Sequence, residues 1–421
     1  MEKEIGIEVF LTKGEGIKGK IKSKPEDFVV EEISIYPKPS YGKYVIARVK
    51  SRNWETNRLV ERIASHLKIS PNSIGYAGIK DKRAVKYQLM SFPADINKIK
   101  NVKIPDVKIE VLYKSSTPLY SGKLIGNRFY IIIRNVEGRE ERIKKIMKEI
   151  EEMQLIPNFF GIQRFGISRP ITHIVGKYLL KNEIEKAVMT YVANPIKGED
   201  EESYRARKFL EDTKDFSEAL KIYPKNLVFE RRIIEYLAKN PGEWKNALFK
   251  LPRNLIRIFI HAYQSYLFNK VLSLRIKKEI PLNEAIEGDI VLPWEKEMVI
   301  QGYNGIFVTR DNIDKINKMI KKQRCFPSAP IVGYNFIKAS GSAGEIESKI
   351  IEDEKLNEED FKMPHMPEFA SRGMRRIIIA PLRHLKWNFD GENLHLKFFL
   401  PKGCYATSLL REIMKADVYS Y

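Results

Sequence analysis

The sequence predicts an α+β fold in which a β-rich domain is interrupted by a more helical insertion. Three observations predict it. Strand-like segments crowd residues 27–136 and return at 376–400, while helical periodicity dominates between them. The chain has 421 residues, too many for one ordinary core, and 43% of them are hydrophobic, too many for disorder. No internal repeat and no low-complexity linker divides it otherwise. Three consecutive domains would give the same shift in composition, and composition alone leaves that choice open.

The elements follow in order. Residues 27–35 (DFVVEEISI) and 43–50 (KYVIARVK) alternate and are rich in β-branched residues, as strands are. Residues 55–69 switch to helical spacing, with Leu59, Ile63 and Leu67 on one face. Short strands are expected at 74–79, 88–92 and 107–113. The strongest strand signal is 128–136 (RFYIIIRNV), dense in β-branched and aromatic side chains. An amphipathic helix at 139–153 carries Ile143, Ile146, Met147 and Ile150 on its apolar side. Helices then dominate, the longest at 253–276 and a basic one at 315–324. The acidic stretch 351–360 reads as a solvated face or connector. Strands return at 376–380 and 394–400, and a short helix closes the pattern at 407–415.

The charge narrows the partner. Lys and Arg number 74 against 54 Asp and Glu, a net charge of +20, which favours a polyanion such as nucleic acid. A solvated Lys/Glu-rich surface is the plainer alternative. Only Cys325 and Cys404 are present, far apart, and six scattered histidines have no metal spacing, which argues against a disulfide scaffold or a zinc site and fits a reducing cytoplasm. No export signal and no 18-residue apolar run is visible, so no membrane partner is expected.

Five clusters could carry chemistry. The densest is GYAGIKDKRAVKYQ at 75–88, where Asp81 sits among Lys80, Lys82 and Arg83. A carboxylate among cations is favoured in its charged form and can act as nucleophile or base. The same cations suit a phosphate backbone, although a solvated turn is the plainer reading of the segment taken alone. IKSKPEDFVVEE at 21–32 places Lys22 and Lys24 before a turn and a strand containing Phe28. GNRF at 126–129 joins a small residue, the amide of Asn127 and the ring of Phe129, the groups needed to read an extruded base; a turn and a core aromatic would look the same. PNFFGIQRFG at 157–166 interleaves aromatics with Arg164, which suits an RNA contact or packing at a domain junction. LPKGCYATSLLRE at 400–412 ends a strand, turns, and starts a helix after Tyr405. A P-loop and a GxSxG elbow are missing, and the GEGIKG at 14–19 runs into Pro25 and a strand with no room for a dinucleotide-binding helix. The chemistry is therefore expected to need no cofactor and no metal.

Together these clusters, with SGKLIGNRFYIIIR at 121–134, THIVG at 172–176 and QSYLFN at 264–269, occur in an order that resembles the TruD family of tRNA pseudouridine synthases. The resemblance runs from near residue 20 to near residue 412. It implies a pseudouridine-synthase catalytic domain with a mixed or antiparallel sheet and flanking helices, formed by residues 1–157 and 373–421. An inserted TRUD domain at 158–372 would interrupt it. It implies Asp81 as the catalytic residue and Lys22, Phe28, Asn127, Phe129 and Tyr405 as substrate-binding residues. Lys80, Lys82, Arg83 and Arg164 are then candidates for RNA contacts. The implied substrate is tRNA, at uridine 13 of the D arm, handled by a cytoplasmic monomer without protein partner. Two departures stand out: Lys86 occupies a position where many members of the family have Thr, and Tyr405 one where Phe is frequent. Residues 181–251 match no motif.

Overall fold

The computed structural model describes residues 2–120, 122–299 and 305–417, so Ser121, which opens one motif above, and the last four residues lie outside it. The chain forms two compact units. A sheet unit comprises Phe10–Asn158, Trp294–Ile300 and Ala380–Tyr421, and a helical unit comprises Met1–Val9, Phe159–Pro293 and Gln301–Ile379.

The sheet unit begins with β1 (Phe28–Ser34), β2 (Tyr44–Arg52), α1 (Thr56–Leu67), β3 (Gly75–Tyr76), β4 (Val85–Phe92), α2 (Ile96–Lys100), β5 (Val107–Ser115), β6 (Leu124–Ile133), α3 (Glu140–Met153) and β7 (Leu155–Pro157). The helical unit follows with α4 (Thr172–Leu180), α5 (Ile184–Val192), α6 (Glu201–Thr213), α7 (Phe216–Ile222), α8 (Val228–Lys239), α9 (Trp244–Leu248) and the 25-residue α10 (Arg253–Lys277). A small antiparallel sheet then uses β8 (Ile290–Glu295), β9 (Met298–Val299), β10 (Ile306–Phe307), β11 (Cys325–Ile331) and β12 (Met374–Ile377), with α11 (Ile313–Lys321) and α12 (Gly341–Asp353) between strands. The chain returns through β13 (Ile379–Pro381) to β14 (Arg383–Phe389), β15 (Leu394–Pro401) and α13 (Ala406–Met414).

The large sheet runs β14-β15-β6-β1-β4-β2-β5, with β3 beside β4. Among the described residues only the β1–β4 pair of this sheet is parallel, so the sheet is mixed, as the α+β reading expects. Side chains alternate along a strand, and register carries the alternation across the sheet. Val30 lies opposite Lys86, and Lys86 opposite Ser51, so Val30, Lys86, Gln88 and Met90 share one face. On that face α3 and α13 cover one apolar cluster containing Val30, Phe129 and Phe398, and α1 covers another containing Val49 and Met90. Between the clusters the buried residues turn polar: Glu32, Ser34, Lys86 and Gln88. Two helical layers on one sheet face, parted by a polar seam, are what position the candidate site.

The segment entering β1 is pinned from inside. The buried carboxylate of Asp27 accepts two hydrogen bonds from Arg134 (2.9 and 2.7 Å) and one from the Lys24 N–H (3.0 Å). Burial alone would raise this carboxyl, but Arg134 and Lys24 together hold it below the usual range. The folded value being lowered, the stability it contributes is present above the unfolded value and is lost as pH falls through the folded one. Asp27→Asn is expected to lower Tm by about 5 °C at neutral pH. The difference between the two proteins should shrink in acid, as measured by calorimetry across pH.

Differences from the sequence expectation have local causes. The strand expected at 74–79 is two residues long, because the chain leaves the sheet as a loop after Tyr76. β14 is not among the expected strands although Leu385, Trp387 and Phe389 alternate within it, since Lys386 and Asn388 intervene on an edge strand. β11 contains Pro327 and Pro330, which read as breaks, yet it pairs on both sides. The acidic stretch 351–360 is not wholly solvated: Glu354 accepts hydrogen bonds from Lys177, Tyr263 and Tyr266 inside the helical unit. Gly176 meets the requirement of close helix packing, for an added Cβ would lie 2.0 Å from the Phe259 carbonyl oxygen across α4 and α10.

Candidate active site

The site is built where β1 and β4 begin side by side. Between β3 and β4 the chain makes an irregular loop, 77–84, and Asp81 stands on it. The loop is held from beneath. Gln88 Nε2 donates to the Gly78 carbonyl at 2.8 Å, and the Lys80 N–H donates to the buried hydroxyl of Thr56 at 3.2 Å. On its outer side Arg83 donates to the Ser23 carbonyl at 2.9 Å, tying the Asp81 loop to the segment that carries Lys22. Gly75 is needed in β3, just before the loop, since a Cβ there would lie 2.0 Å from the Leu119 carbonyl oxygen.

Lys22 reaches the same place from the other side. Its Nζ lies 3.9 Å from Asp81 Oδ2 and 4.4 Å from the centroid of the Phe28 ring. Its backbone is left-handed, with φ of 53°, a conformation that costs a non-glycine residue about 1 kcal/mol. The lysine side chain is 13% exposed and the aspartate 42%, so the pair has one face in the protein and one open to solvent. Behind it Phe28 packs edge-on against Phe129 at 6.0 Å, and Phe129 stacks on Phe398 at 5.2 Å. Phe28 is 1% exposed and Phe129 6%, so the two rings form a wall rather than an open stacking platform.

Asn127 extends the site along β6, opposite Glu32 on one side and Leu400 on the other. Its Oδ1 is buried and accepts no hydrogen bond among the described residues, an acceptor of the kind a base edge or sugar hydroxyl would satisfy. Gly126 permits the close approach of β15, because a Cβ would sit 2.4 Å from the Leu400 carbonyl oxygen. β15 turns immediately and delivers half-buried Tyr405 as the residue before α13.

The structure therefore brings Asp81, Lys22, Phe28, Phe129 and Asn127 to one face of the sheet, and Tyr405 follows the strand paired with Asn127. Lys82 and Arg83 are exposed beside Asp81. Lys80 differs from the expectation of a surface cation: its side chain is 6% exposed and its Nζ lies 2.8 Å from the fully buried carboxylate of Glu32. Glu32 also accepts from Ser34 Oγ at 2.8 Å. Arg164 belongs to the helical unit, where its Nε donates to Ser265 Oγ at 3.2 Å and its guanidinium lies over Phe160. The motifs at 157–166 and 264–269 meet there, with Asn269 bridging the backbone N–H and carbonyl of Phe160.

Sequence reasoning passed over Glu32, Thr56 and Gln88, and marked Lys86 only as a departure from the family pattern. Glu32 carried a signal, since it continues the i, i+2, i+4 series from Phe28 and Val30 and is therefore directed inward. Among the described residues no group of His, Cys, Asp and Glu could hold a metal ion, and both cysteines are buried. No described helix is long and apolar enough to cross a membrane.

Comparisons with known proteins show which family the chain resembles over its length. The family model for tRNA pseudouridine synthase D (TruD) matches residues 4–413. A protein of Methanococcoides burtonii named "Probable tRNA pseudouridine synthase D" is 40% identical over 99% of this chain and 98% of its own length. One of the same name from Pyrococcus abyssi is 42% identical over 96% of this chain and 98% of its own. A crystal structure described as "Putative tRNA pseudouridine synthase D (TruD)" from Methanosarcina mazei superposes with a TM-score of 0.87 at 38% identity, covering 100% of this chain and 98% of that one. With its motifs in order and matched over nearly its whole length, the chain belongs to the tRNA pseudouridine synthase D family.

Proposed function

We propose that the chain isomerises uridine to pseudouridine in tRNA, at uridine 13 of the D arm, with Asp81 as the nucleophile. The reading rests on one observation above all. Asp81 stands half open, 3.9 Å from Lys22, beside an aromatic wall and a buried amide oxygen that has no partner among the described residues. In the reaction the N1–C1′ bond breaks, the base turns, and C5 takes the place of N1, with the C5 proton released and N1 reprotonated. The two sides carry the same atoms and electrons. Asp81 adds to the nucleotide at C1′ or at C6 and is released when the new C–C bond has formed.

The remaining groups have roles that follow from their places. Lys22 pairs with the carboxylate, and Asn127 takes a hydrogen bond from the base or sugar. Tyr405 stacks on the base or closes the pocket over it, and Phe28 and Phe129 exclude water. Lys82 and Arg83 contact phosphates beside the extruded nucleotide, and Arg164 makes a further RNA contact from the inserted domain. Lys80 holds the loop through Glu32. Stacking returns about 1–3 kcal/mol per base, comparable with the few kcal/mol needed to unstack one. Phosphate contacts supply the remainder, which suits a chain of net charge +20. In this reading residues 1–157 and 373–421 are the catalytic domain and 158–372 the inserted TRUD domain.

The test is direct. An unmodified tRNA transcript incubated with the protein alone, then mapped by chemical labelling, is expected to show a single pseudouridine at position 13. A transcript that stays unmodified defeats the activity, and a pseudouridine elsewhere defeats the site assignment.

A further inference from the structure

The large sheet has a second face. Helices α1, α3 and α13 lie on the face that carries Val30, Phe129 and Met90, and residues of the opposite parity point away from them. At one end of this outer face the register sets Lys386 of β14 opposite Lys397 of β15, and Lys397 opposite Tyr130 of β6. At the other end it sets Lys108 of β5 opposite Lys50 of β2, and Lys50 opposite Tyr87 of β4. The same triplet, two lysines and a tyrosine on three adjacent strands, therefore occurs twice, once on each side of β1. All four lysines are exposed and both rings are half-buried, unlike the closed wall of Phe28 and Phe129. Each ring has an ammonium over it. Lys397 Nζ lies 5.0 Å from the centroid of Tyr130, and Lys50 Nζ 5.4 Å from that of Tyr87.

Like charges directly opposite one another on neighbouring strands destabilise a sheet. This face keeps two such lysine pairs. Its acids are taken by arginines: Glu31 lies 2.7 Å from Arg128, Glu26 2.5 Å from Arg52 and Glu110 3.6 Å from Arg48, and among the described residues none of the four lysines has an acidic partner. An anion set between the members of each pair removes the repulsion. The pair on β14 and β15 also borders an open depression of about 330 Å³, shared by Tyr130, Ile132, Asn388 and His395. A solvated strand face would carry lysines as well, but it calls for neither the like-charge pairs nor the rings beside them.

We propose that the outer face of the sheet binds a single-stranded RNA segment, with Tyr130 and Tyr87 stacking on bases and the two lysine pairs holding phosphates. Accessible rings on an open sheet suit unpaired bases, since a duplex keeps its base faces covered. A stacked base outweighs a lysine resting over an exposed ring, so the ammonium yields the ring and moves to the adjoining phosphate. Neighbouring strands are about 4.8 Å apart, so the six intervals from β14 to β5 span about 29 Å, room for several nucleotides. The strand lies on the opposite side of the sheet from Phe129 and Asn127 and supplies no reacting nucleotide, so the proposal stands apart from the role of Asp81.

The probe is a fluorescein-labelled oligoadenylate of about ten nucleotides, which offers the Asp81 site no uridine, with an RNA duplex of the same length beside it. Binding to the full chain is followed by anisotropy across a salt series. Tyr130→Ala is expected to weaken the oligoadenylate complex about tenfold and to leave the duplex unaffected. Tyr130→Phe keeps the ring and should bind as the wild type does. Lys386→Gln combined with Lys397→Gln should weaken binding and flatten the slope of log K against log salt by about 1.4, the effect of two phosphate contacts on a single strand. The same double variant should melt no earlier than the wild type, because a repulsive pair has gone. It also tests the site if Tyr130→Ala does not fold. The proposal is overturned if the wild type does not bind oligoadenylate, if the folded variants bind it as tightly as the wild type, or if the duplex loses as much as the single strand. A lower Tm in the lysine variant would show that these lysines serve the fold, and would overturn it too. So would a wild-type dimer in sedimentation that the same substitutions dissociate, which would give the face to a second copy of the chain.

Discussion

Asp81→Ala is expected to reduce the single-turnover rate of pseudouridine formation by at least about 10⁴-fold while leaving folding and tRNA affinity nearly unchanged. The separation of the two effects follows from the geometry. The Asp81 side chain is 42% exposed and its ion pair with Lys22 spans 3.9 Å, so the pair contributes little to stability, about 0–1 kcal/mol. The loop is held by other bonds, from Gln88 to Gly78, from Lys80 to Thr56 and from Arg83 to Ser23, none of which uses the Asp81 carboxylate. Removing it takes away the nucleophile and leaves the scaffold. Calorimetry and filter binding on the same preparation check the second half of the statement. Product formed at the wild-type rate would move the chemistry to another residue. A collapse of tRNA binding would mean that Asp81 serves recognition instead.

How much of this was legible in the sequence depends on how far the information lies along the chain. Lys22, Asp81, Asn127 and Tyr405 each sit in a short segment whose turn residues and strand alternation are visible locally, and the resemblance joined the segments. The fold class was legible for the same reason, since alternation in 27–50 and helical spacing in 55–69 are local patterns that tertiary packing did not override. The inward turn of Lys80 was not legible. Its partner Glu32 is 48 residues away, and only the parallel register of β1 on β4 brings the two together. Lys80 and Lys82 are equivalent in sequence terms, and one is buried while the other is exposed. Lys86 was visible only as an odd residue in a motif, because its burial depends on β1 and β2 flanking β4. The same limit applies to Arg164, whose partner Ser265 lies on α10.

The Lys80–Glu32 pair gives the second large effect, and here stability and activity move separately under a double change. Both side chains are essentially inaccessible, 6% and 0% exposed, and their charges are 2.8 Å apart. Breaking such a pair from one side strands the other charge in a low-dielectric interior, at a cost of about 3–5 kcal/mol. Glu32→Leu and Lys80→Met are each expected to lose that much in urea denaturation, and to lose activity about 100-fold or more as the loop backbone beside Asp81 shifts. The double variant leaves no stranded charge. Its two apolar side chains adjoin Val30 and the cluster around Phe129, so most of the lost stability should return, with a coupling of about 2 kcal/mol or more between the two sites. Activity should not return with it, because an apolar contact does not fix where the 77–84 loop stands as a short ion pair does. A double variant as unstable as the worse single one would show that the pair is not what destabilises the singles. A double variant restored in both stability and rate would show that the charge on Lys80 does nothing for the placement of Asp81 beyond keeping the fold intact.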